Sequence, residues 1–92
     1  MLAVAGCSKP PSPGSCFRPH ENICLNYEAP QAEAGRRLCT GLQWSEAPCA
    51  SDNRIGTCTK GDVVEQYYRG APNNYDITTA KLACEHASGV WR

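Results

Sequence analysis

The chain has 92 residues, with nine Lys or Arg and nine Asp or Glu, so its formal net charge is zero. A chain of this length forms at most one domain, and the core of so small a domain is marginal without covalent staples. The balanced charge lacks the basic surface that nucleic-acid binding needs, and no apolar stretch is long enough to span a bilayer. The seven cysteines are close to the usage of a disulfide scaffold.

The N-terminus is small and apolar and leads to a cysteine. Val4-Ala5-Gly6-Cys7 resembles the lipobox of bacterial lipoproteins, in which a branched apolar residue and two small residues precede the modified cysteine. The resemblance implies that Cys7 carries a diacylglyceryl group on its sulfur, and that cleavage before Cys7 exposes an amine that is acylated in turn. Two or more acyl chains anchor a protein stably without a spanning helix.

Two segments and a location follow from this resemblance. A complete signal peptide has a charged start and an apolar run of roughly 7–15 residues, so residues 1–6 are interpreted as the remnant of one. Residues 7–15 are predicted to be a lipid-anchored Pro/Ser/Gly tether, on the order of 25 Å long if extended. In Gram-negative members an Asp after the cysteine favours inner-membrane retention. Ser8 therefore implies the outer membrane of a bacterial cell envelope, with the face left open.

Residues 16–92 are predicted to form the disulfide-rich domain, built from two similar units at 16–49 and 55–92. Each unit has a cysteine, a tyrosine about ten residues later, a helical stretch that ends near a second cysteine, then Gly and Trp. The pattern predicts a pseudo-repeated β-hairpin plus helix in each unit. The fold class is therefore α+β.

The first unit predicts strands at 16–18 and 23–28 around a turn at 19–22. Pro30 suits the first turn of the helix that follows, and this helix is expected to end near Cys39.

The second unit predicts strands at 57–59 and 63–69. Asp76 is a suitable N-cap for a helix over 77–87, and Gly89 is expected to stop that helix before a last short strand. Helical spacing places five residues on the expected buried face: Ile77, Ala80, Ala83, Cys84 and Ala87.

Six cysteines remain besides Cys7, and sequence alone allows fifteen pairings. Cys16 and Cys39 occupy the places of Cys58 and Cys84 in the repeat, whereas Cys24 and Cys49 both lack counterparts. The favoured pairs are therefore Cys16–Cys39, Cys58–Cys84 and Cys24–Cys49. Cys39–Cys49, which would clamp the turn around Trp44, is the main alternative.

The side chains offer little catalytic chemistry. The cysteine spacing lacks the close pairs of zinc sites, and no nucleophile or phosphate-loop motif is present, so we expect no metal, no cofactor and no enzyme activity. His20 and His86 are interpreted as surface or capping residues, and the two tryptophans as core. Tyr27 and Tyr68 are the first candidates for a contact surface.

The leading hypothesis is a non-catalytic, lipid-anchored envelope protein that binds or supports an envelope protein or a glycan. A second hypothesis is a secreted inhibitor of a hydrolase, which would present the loop at 46–56 on a rigid scaffold. A third, a small enzyme, requires a concave site that contains His20 or His86.

Overall fold

The computed structural model describes residues 12–92, so Cys7, residues 1–6 and most of the predicted tether lie outside it. The strands and helices of this part of the chain follow in the order β1 (Gly14–Arg18), β2 (Ile23–Tyr27), α1 (Ala29–Leu38), β3 (Gln43–Ser45), β4 (Arg54–Lys60), β5 (Val63–Tyr68), α2 (Ile77–His86) and β6 (Val90–Trp91). The protein is a small α+β domain.

The strands form one antiparallel sheet in the order β3-β1-β2-β5-β4-β6. The two hairpins, β1–β2 and β4–β5, meet in the middle through β2 and β5, where Leu25 lies opposite Glu65. The short strands β3 and β6 lie at the two outer edges. The chain therefore repeats one order of elements, a hairpin, a helix and an edge strand, on each side of the β2–β5 pair.

Both helices cover the same face of the sheet. Neighbouring residues across the strands, Cys16, Leu25, Glu65 and Cys58, form a row on this face. The Cys16–Cys39 bond ties the end of α1 to β1, and Cys58–Cys84 ties α2 to β4. These two bonds lie in the core, because their four cysteines are at most 4% exposed.

The helix ends follow local sequence. Pro30 lies in the first turn of α1, and Asp76 caps α2 by accepting a 2.8 Å hydrogen bond from the Thr79 N–H. That bond lowers the pKa of Asp76 below its usual value. The predicted stop at Gly89 needs correction, because the residue with positive φ after α2 is Ser88 (63°). Gly89 instead lies against the disulfide, where a Cβ would collide with the sulfurs of Cys58 and Cys84.

The buried face of α2 is narrower than predicted. Ala80 and Cys84 are fully buried, but Ile77 is 59% exposed and Ala83 and Ala87 are exposed as well. The helix lies over β4 and the edge strand β6, and the disulfide holds it close to β4. Because the contact is close, only small side chains fit into it. The other residues of the predicted apolar face stay exposed.

Two glycines that the sequence analysis overlooks make room for the tryptophans. A Cβ at Gly14 would run into the ring of Trp44, and a Cβ at Gly56 would run into the ring of Trp91. Each glycine stands two residues before a core cysteine, in Gly-Ser-Cys and Gly-Thr-Cys. Both tryptophans are partly buried and pack against the core, as predicted.

The tether boundary also needs correction, because β1 begins at Gly14. Ser15 is buried at 4% exposure, and its Oγ donates a 2.7 Å hydrogen bond to the Ala47 carbonyl. The tether predicted at 7–15 therefore overlaps the sheet by two residues. Composition suggested a segment too polar to pack, but Ser15 finds a polar partner in the fold.

One ionic group lies near the middle of the core face. Glu65 is 8% exposed and pairs with Lys60 at 3.1 Å, while the Tyr67 hydroxyl donates to the same carboxylate oxygen at 3.3 Å. Burial, and then the charge of Glu65, raise the pKa of Tyr67 to about 12. Ionisation of Tyr67 is therefore displaced further into the alkaline range than that of an exposed tyrosine.

We expect Gly56→Ala to force Trp91 out of place, because the new methyl would occupy the position of its ring. Overpacking of this kind costs about 1–3 kcal/mol in the free energy of unfolding. Urea denaturation followed by circular dichroism measures this loss. In a Trp91→Leu background the same change should cost less than half as much. An equal loss in both backgrounds would show that the ring is not what excludes the methyl.

We expect stability to fall between pH 10 and 12. The pKa of Tyr67 is about 12 in the folded protein, against 10.0 ordinarily. Its contribution is therefore complete below pH 10 and is lost as the pH rises through the folded pKa. The loss is about 2 kcal/mol. Urea denaturation at stepped pH measures it. Tyr67→Phe should flatten this decline, and a decline of equal steepness in that variant would exclude Tyr67 as its source.

Candidate functional site

The face of the sheet opposite the helices carries a loop instead of a helix. We call this the open face. β3 lies at one edge of the sheet, whereas β4 lies beyond the central β2–β5 pair. The chain from β3 to β4 must therefore cross a face, and it crosses the open one. We call residues 46–53 the crossing loop.

Four hydrogen bonds fasten the crossing loop to three strands, β1, β2 and β5, or to the residue that follows β5. The Ala47 carbonyl is held by Ser15, as described above. The Cys49 N–H donates to Asn26 Oδ1 at 2.9 Å, and the Tyr68 hydroxyl donates to the Ala50 carbonyl at 2.6 Å. Beyond β5, the Arg69 N–H donates to the Asn53 carbonyl at 3.0 Å. These contacts trace a diagonal from the start of β1 to the end of β5.

The third disulfide, Cys24–Cys49, fixes the middle of this diagonal to β2. The three bonds in the structure are the three pairs that the sequence analysis favours. The alternative Cys39–Cys49 does not form, because Cys39 is bonded to Cys16 beneath α1. Two bonds therefore lie under the helices, and one holds the loop on the opposite face.

The proposed contact residues Tyr27 and Tyr68 need correction, because both are buried, at 8% and 6% exposure. Tyr27 lies under α1, where its ring occupies the space left by Gly35. Tyr68 lies on the open face, but the crossing loop covers it and takes its hydroxyl. Alternation along β5 predicts that one of two adjacent tyrosines is exposed, which fails when both faces of the strand are covered.

The diagonal path leaves two uncovered areas, one on the open face and one that extends from the open face around the end of the sheet to the start of α1. The distal groove, about 480 Å³, lies toward the end of β1 and includes Phe17, Gln43, Asp52, Asn53 and Arg69 in its lining. The proximal groove, about 680 Å³, is lined in part by Pro13, Gly61, Asp62 and Val64, near the start of β1. The proximal groove therefore lies beside the segment that leads to Cys7.

The distal groove has an aromatic floor. Phe17 is partly buried, and its ring meets the edge of Tyr68 with centroids 6.3 Å apart and planes at 72°. Asn22 closes the end of the groove. Its backbone has a φ of 54°, and its side-chain amide donates to the carbonyls of Tyr68 and Arg69 at 3.3 and 3.1 Å. Floor and end wall are thus held by the strands.

The rim of the distal groove is polar and free. Gln43, Asp52, Asn53 and Arg69 are all exposed. None of their side chains makes a hydrogen bond or ion pair within residues 12–92. Together they present an acceptor, a cationic donor group and two amides around one aromatic ring.

The sequence analysis does not single out these groove residues. Of its candidates, only the loop at 46–56 borders the distal groove. Phe17 is the single phenylalanine of the chain, on a strand whose neighbouring core residue is Cys16. Alternation therefore places Phe17 on the face away from the core. That signal identifies the floor, but the rim depends on the path of the crossing loop.

The remaining candidates are dispersed. His20 lies in the β1–β2 turn and His86 is the last residue of α2, and both are exposed. Neither lines a groove described above. Residues 12–92 contain no cluster of three or more side chains able to hold a metal ion. Over the same range, neither helix has the length and apolarity needed to cross a membrane.

No protein-family model, curated protein or solved structure matches the chain.

We expect Cys24–Cys49 to be the first disulfide opened by mild reductant, because Cys49 is partly exposed while the other bonds are buried. Limited treatment with dithiothreitol, alkylation and peptide mass spectrometry identifies the bond that opens. A loop of 25 residues makes the bond worth about 3 kcal/mol in the chain-entropy model.

The matched variants separate the roles of the bonds. Cys24→Ser with Cys49→Ser should lower stability by about that amount and leave the helices intact. Cys58→Ser with Cys84→Ser should in addition reduce helical circular dichroism, because α2 loses its tie to β4. Earlier reduction of Cys58–Cys84 would contradict the assigned difference in accessibility.

Proposed function

We propose that the protein is a non-catalytic binding module of the bacterial cell envelope, held at the outer membrane by lipid on Cys7. The observation that carries the proposal is the use of the cysteines. Three disulfides take all six cysteines of residues 12–92. The seventh, Cys7, stands in the lipobox-like Val4-Ala5-Gly6-Cys7.

The disulfides support a location outside the reducing interior of the cell. Such bonds persist in oxidising compartments and are rare in the cytosol. Small domains exported to such compartments use them in place of a larger core. Here two of the bonds fasten the helices to the sheet, so the fold depends on oxidation.

The direction of the chain supports a binding role. The segment from Cys7 joins the sheet at the start of β1, beside the proximal groove. Phe17 lies near the other end of β1, in the distal groove. A protein anchored through Cys7 would therefore present the distal groove away from its anchor.

We further propose that the two halves arose as a duplicated unit. Matching pairs support this: Gly14 with Gly56, Cys16 with Cys58, Tyr27 with Tyr67, Cys39 with Cys84, and Trp44 with Trp91. Tyr27–Trp44 and Tyr67–Trp91 centroids lie 6.0 and 5.5 Å apart. Leu25 and Glu65 face each other where a twofold axis between the halves would pass.

A secreted hydrolase inhibitor is the second candidate, favoured by the exposed and firmly held crossing loop. Glu46, Pro48 and Ser51 are exposed on it. The carbonyls of Ala47, Ala50 and Asn53 are turned to the sheet and hydrogen-bonded there. An inhibitory loop offers its backbone to the enzyme, so the geometry favours the binding module.

We expect Cys7→Ser in the full-length gene to move the protein from the membrane fraction to the soluble fraction. Without the thiol, no diacylglyceryl group can be attached, and neither helix of residues 12–92 is long and apolar enough to cross a membrane. Immunoblots of fractionated cells measure the distribution.

Ser8→Ala is the matched control and should stay with the membrane. Mass spectrometry of the wild type without reductant should show both a lipid adduct and six hydrogens fewer than the reduced chain. Unchanged fractionation of Cys7→Ser, or free thiols in residues 12–92, would contradict the proposal.

A further inference from the structure

We propose that the distal groove is a saccharide-binding site in which a sugar ring stacks on Phe17 and its hydroxyls bond to Gln43, Asp52, Asn53 and Arg69. This inference rests on the proposed binding role and names its ligand class. Its basis is the combination, at one site, of an aromatic floor with a ring of exposed polar side chains that make no hydrogen bond within residues 12–92.

The floor suits the apolar face of a sugar ring. Phe17 is only partly buried, although large aromatic side chains normally bury their area in a core. Its ring is held by the edge of Tyr68, and Tyr68 is in turn held by its hydroxyl at the Ala50 carbonyl. The ring is therefore fixed before a ligand arrives, which lowers the entropic cost of stacking.

The rim suits hydroxyl groups, which both donate and accept. Asp52 only accepts, Arg69 only donates, and the amides of Gln43 and Asn53 do both. All four are planar groups that can bond two adjacent hydroxyls at once. A ligand without polar groups would leave them desolvated and unpaired, at a cost.

The backbone that carries the rim is already ordered. Gln43 lies in β3, directly opposite Phe17 on β1. The Asn53 carbonyl accepts from the Arg69 N–H, and the Arg69 carbonyl accepts from the Asn22 side chain. Polar groups on the crossing loop and on the strand ends are thus held around the floor.

Other ligand classes fit the groove less well. Among the residues of 12–92 that line it, Arg69 is the only cationic side chain and Asp52 the only anionic one, which gives no preference for phosphates or polyanions. A single carboxylate does not form a metal site. An extended peptide binds through a free strand edge. The floor strands β1 and β2 are paired on both sides, and the edge strand β3 offers only three residues.

The size is also suitable. A cavity of about 480 Å³ lies within the range of small-ligand sites, roughly 300–1,000 Å³. It is open to solvent along the rim, so a longer glycan could continue beyond it. A glycan chain of the envelope is therefore a sterically acceptable ligand.

The test uses the full disulfide-bonded chain labelled with ¹⁵N and titrated with chitotriose, cellotriose and maltotriose. We expect at least one of the three sugars, at millimolar concentration, to shift the amide signals of Phe17, Gln43, Asn53 and Arg69. The signals of Gly61 and Val64 in the proximal groove should stay in place.

Variants assign the binding to the groove. Phe17→Ala should weaken binding of that sugar by about two- to tenfold, which is the range that an aromatic contact is worth, whereas Phe17→Tyr should retain it. Gln43→Ala changes an exposed edge residue and should weaken binding with the fold intact. Val64→Ala, on the same face in the proximal groove, is the matched control and should bind as the wild type does.

Three results with the sugars would overturn the inference. These are no shift with any of the three sugars, shifts confined to the proximal groove, or sugar binding unaffected by both Phe17→Ala and Gln43→Ala. Shifts of the distal groove with trialanine alone would assign it to peptides and also overturn it. Failure of sugar binding would leave the fractionation of Cys7→Ser untouched, so the two proposals fail separately.

Discussion

The pairing of β2 with β5 constrains the rest of the molecule. Because the two hairpins meet through these strands, β3 is left at one edge and β4 lies beyond the centre. The connection between them has to cross one face of the sheet. The helices already cover one face of the sheet, where Cys16–Cys39 and Cys58–Cys84 hold them. The crossing loop must therefore cross the open face. Its diagonal path buries Tyr68 and leaves the two grooves uncovered.

Two of the disulfides lie under the helices, and the third lies on the open face of the sheet. The two disulfides under the helices stabilise a core to which the helices contribute few side chains. α1 buries only Ala32 and Gly35, and α2 buries only Ala80 and Cys84. Helices that bury so few residues gain little from packing, and most helical stability in proteins comes from packing. The third bond belongs to the loop, where it holds an irregular segment against a sheet that offers it mainly hydrogen bonds.

Local chemistry made much of this predictable. The capping of α2 by Asp76, Pro30 in α1, the hairpins and the cysteine pairs all follow from short patterns or from matched spacing. What failed depended on contacts distant in sequence. Ser15 looked like tether because its partner, the Ala47 carbonyl, lies 32 residues away. Tyr68 looked available because alternation describes one strand, and it contains no information on a loop that covers the strand from 18 residues away.

The rim of the distal groove could not be predicted for the same reason, whereas its floor, Phe17, follows from alternation along β1. The proposed duplication bears on the difference between the two ends of the open face. In that scheme Phe17, next to Cys16, corresponds to Thr59, next to Cys58, and the twofold axis exchanges the two ends of the open face. Thr59 cannot stack on a ligand as Phe17 can, so the two halves differ in chemistry where their backbones match. The Cys24–Cys49 bond and the loop it fastens have no symmetric partner either, and they build one wall of the groove that has the aromatic ring. Selection for binding at one end only would leave such a pattern, in which the Gly, Cys, Tyr and Trp residues under the helices match and the open face carries an aromatic ring in one half alone.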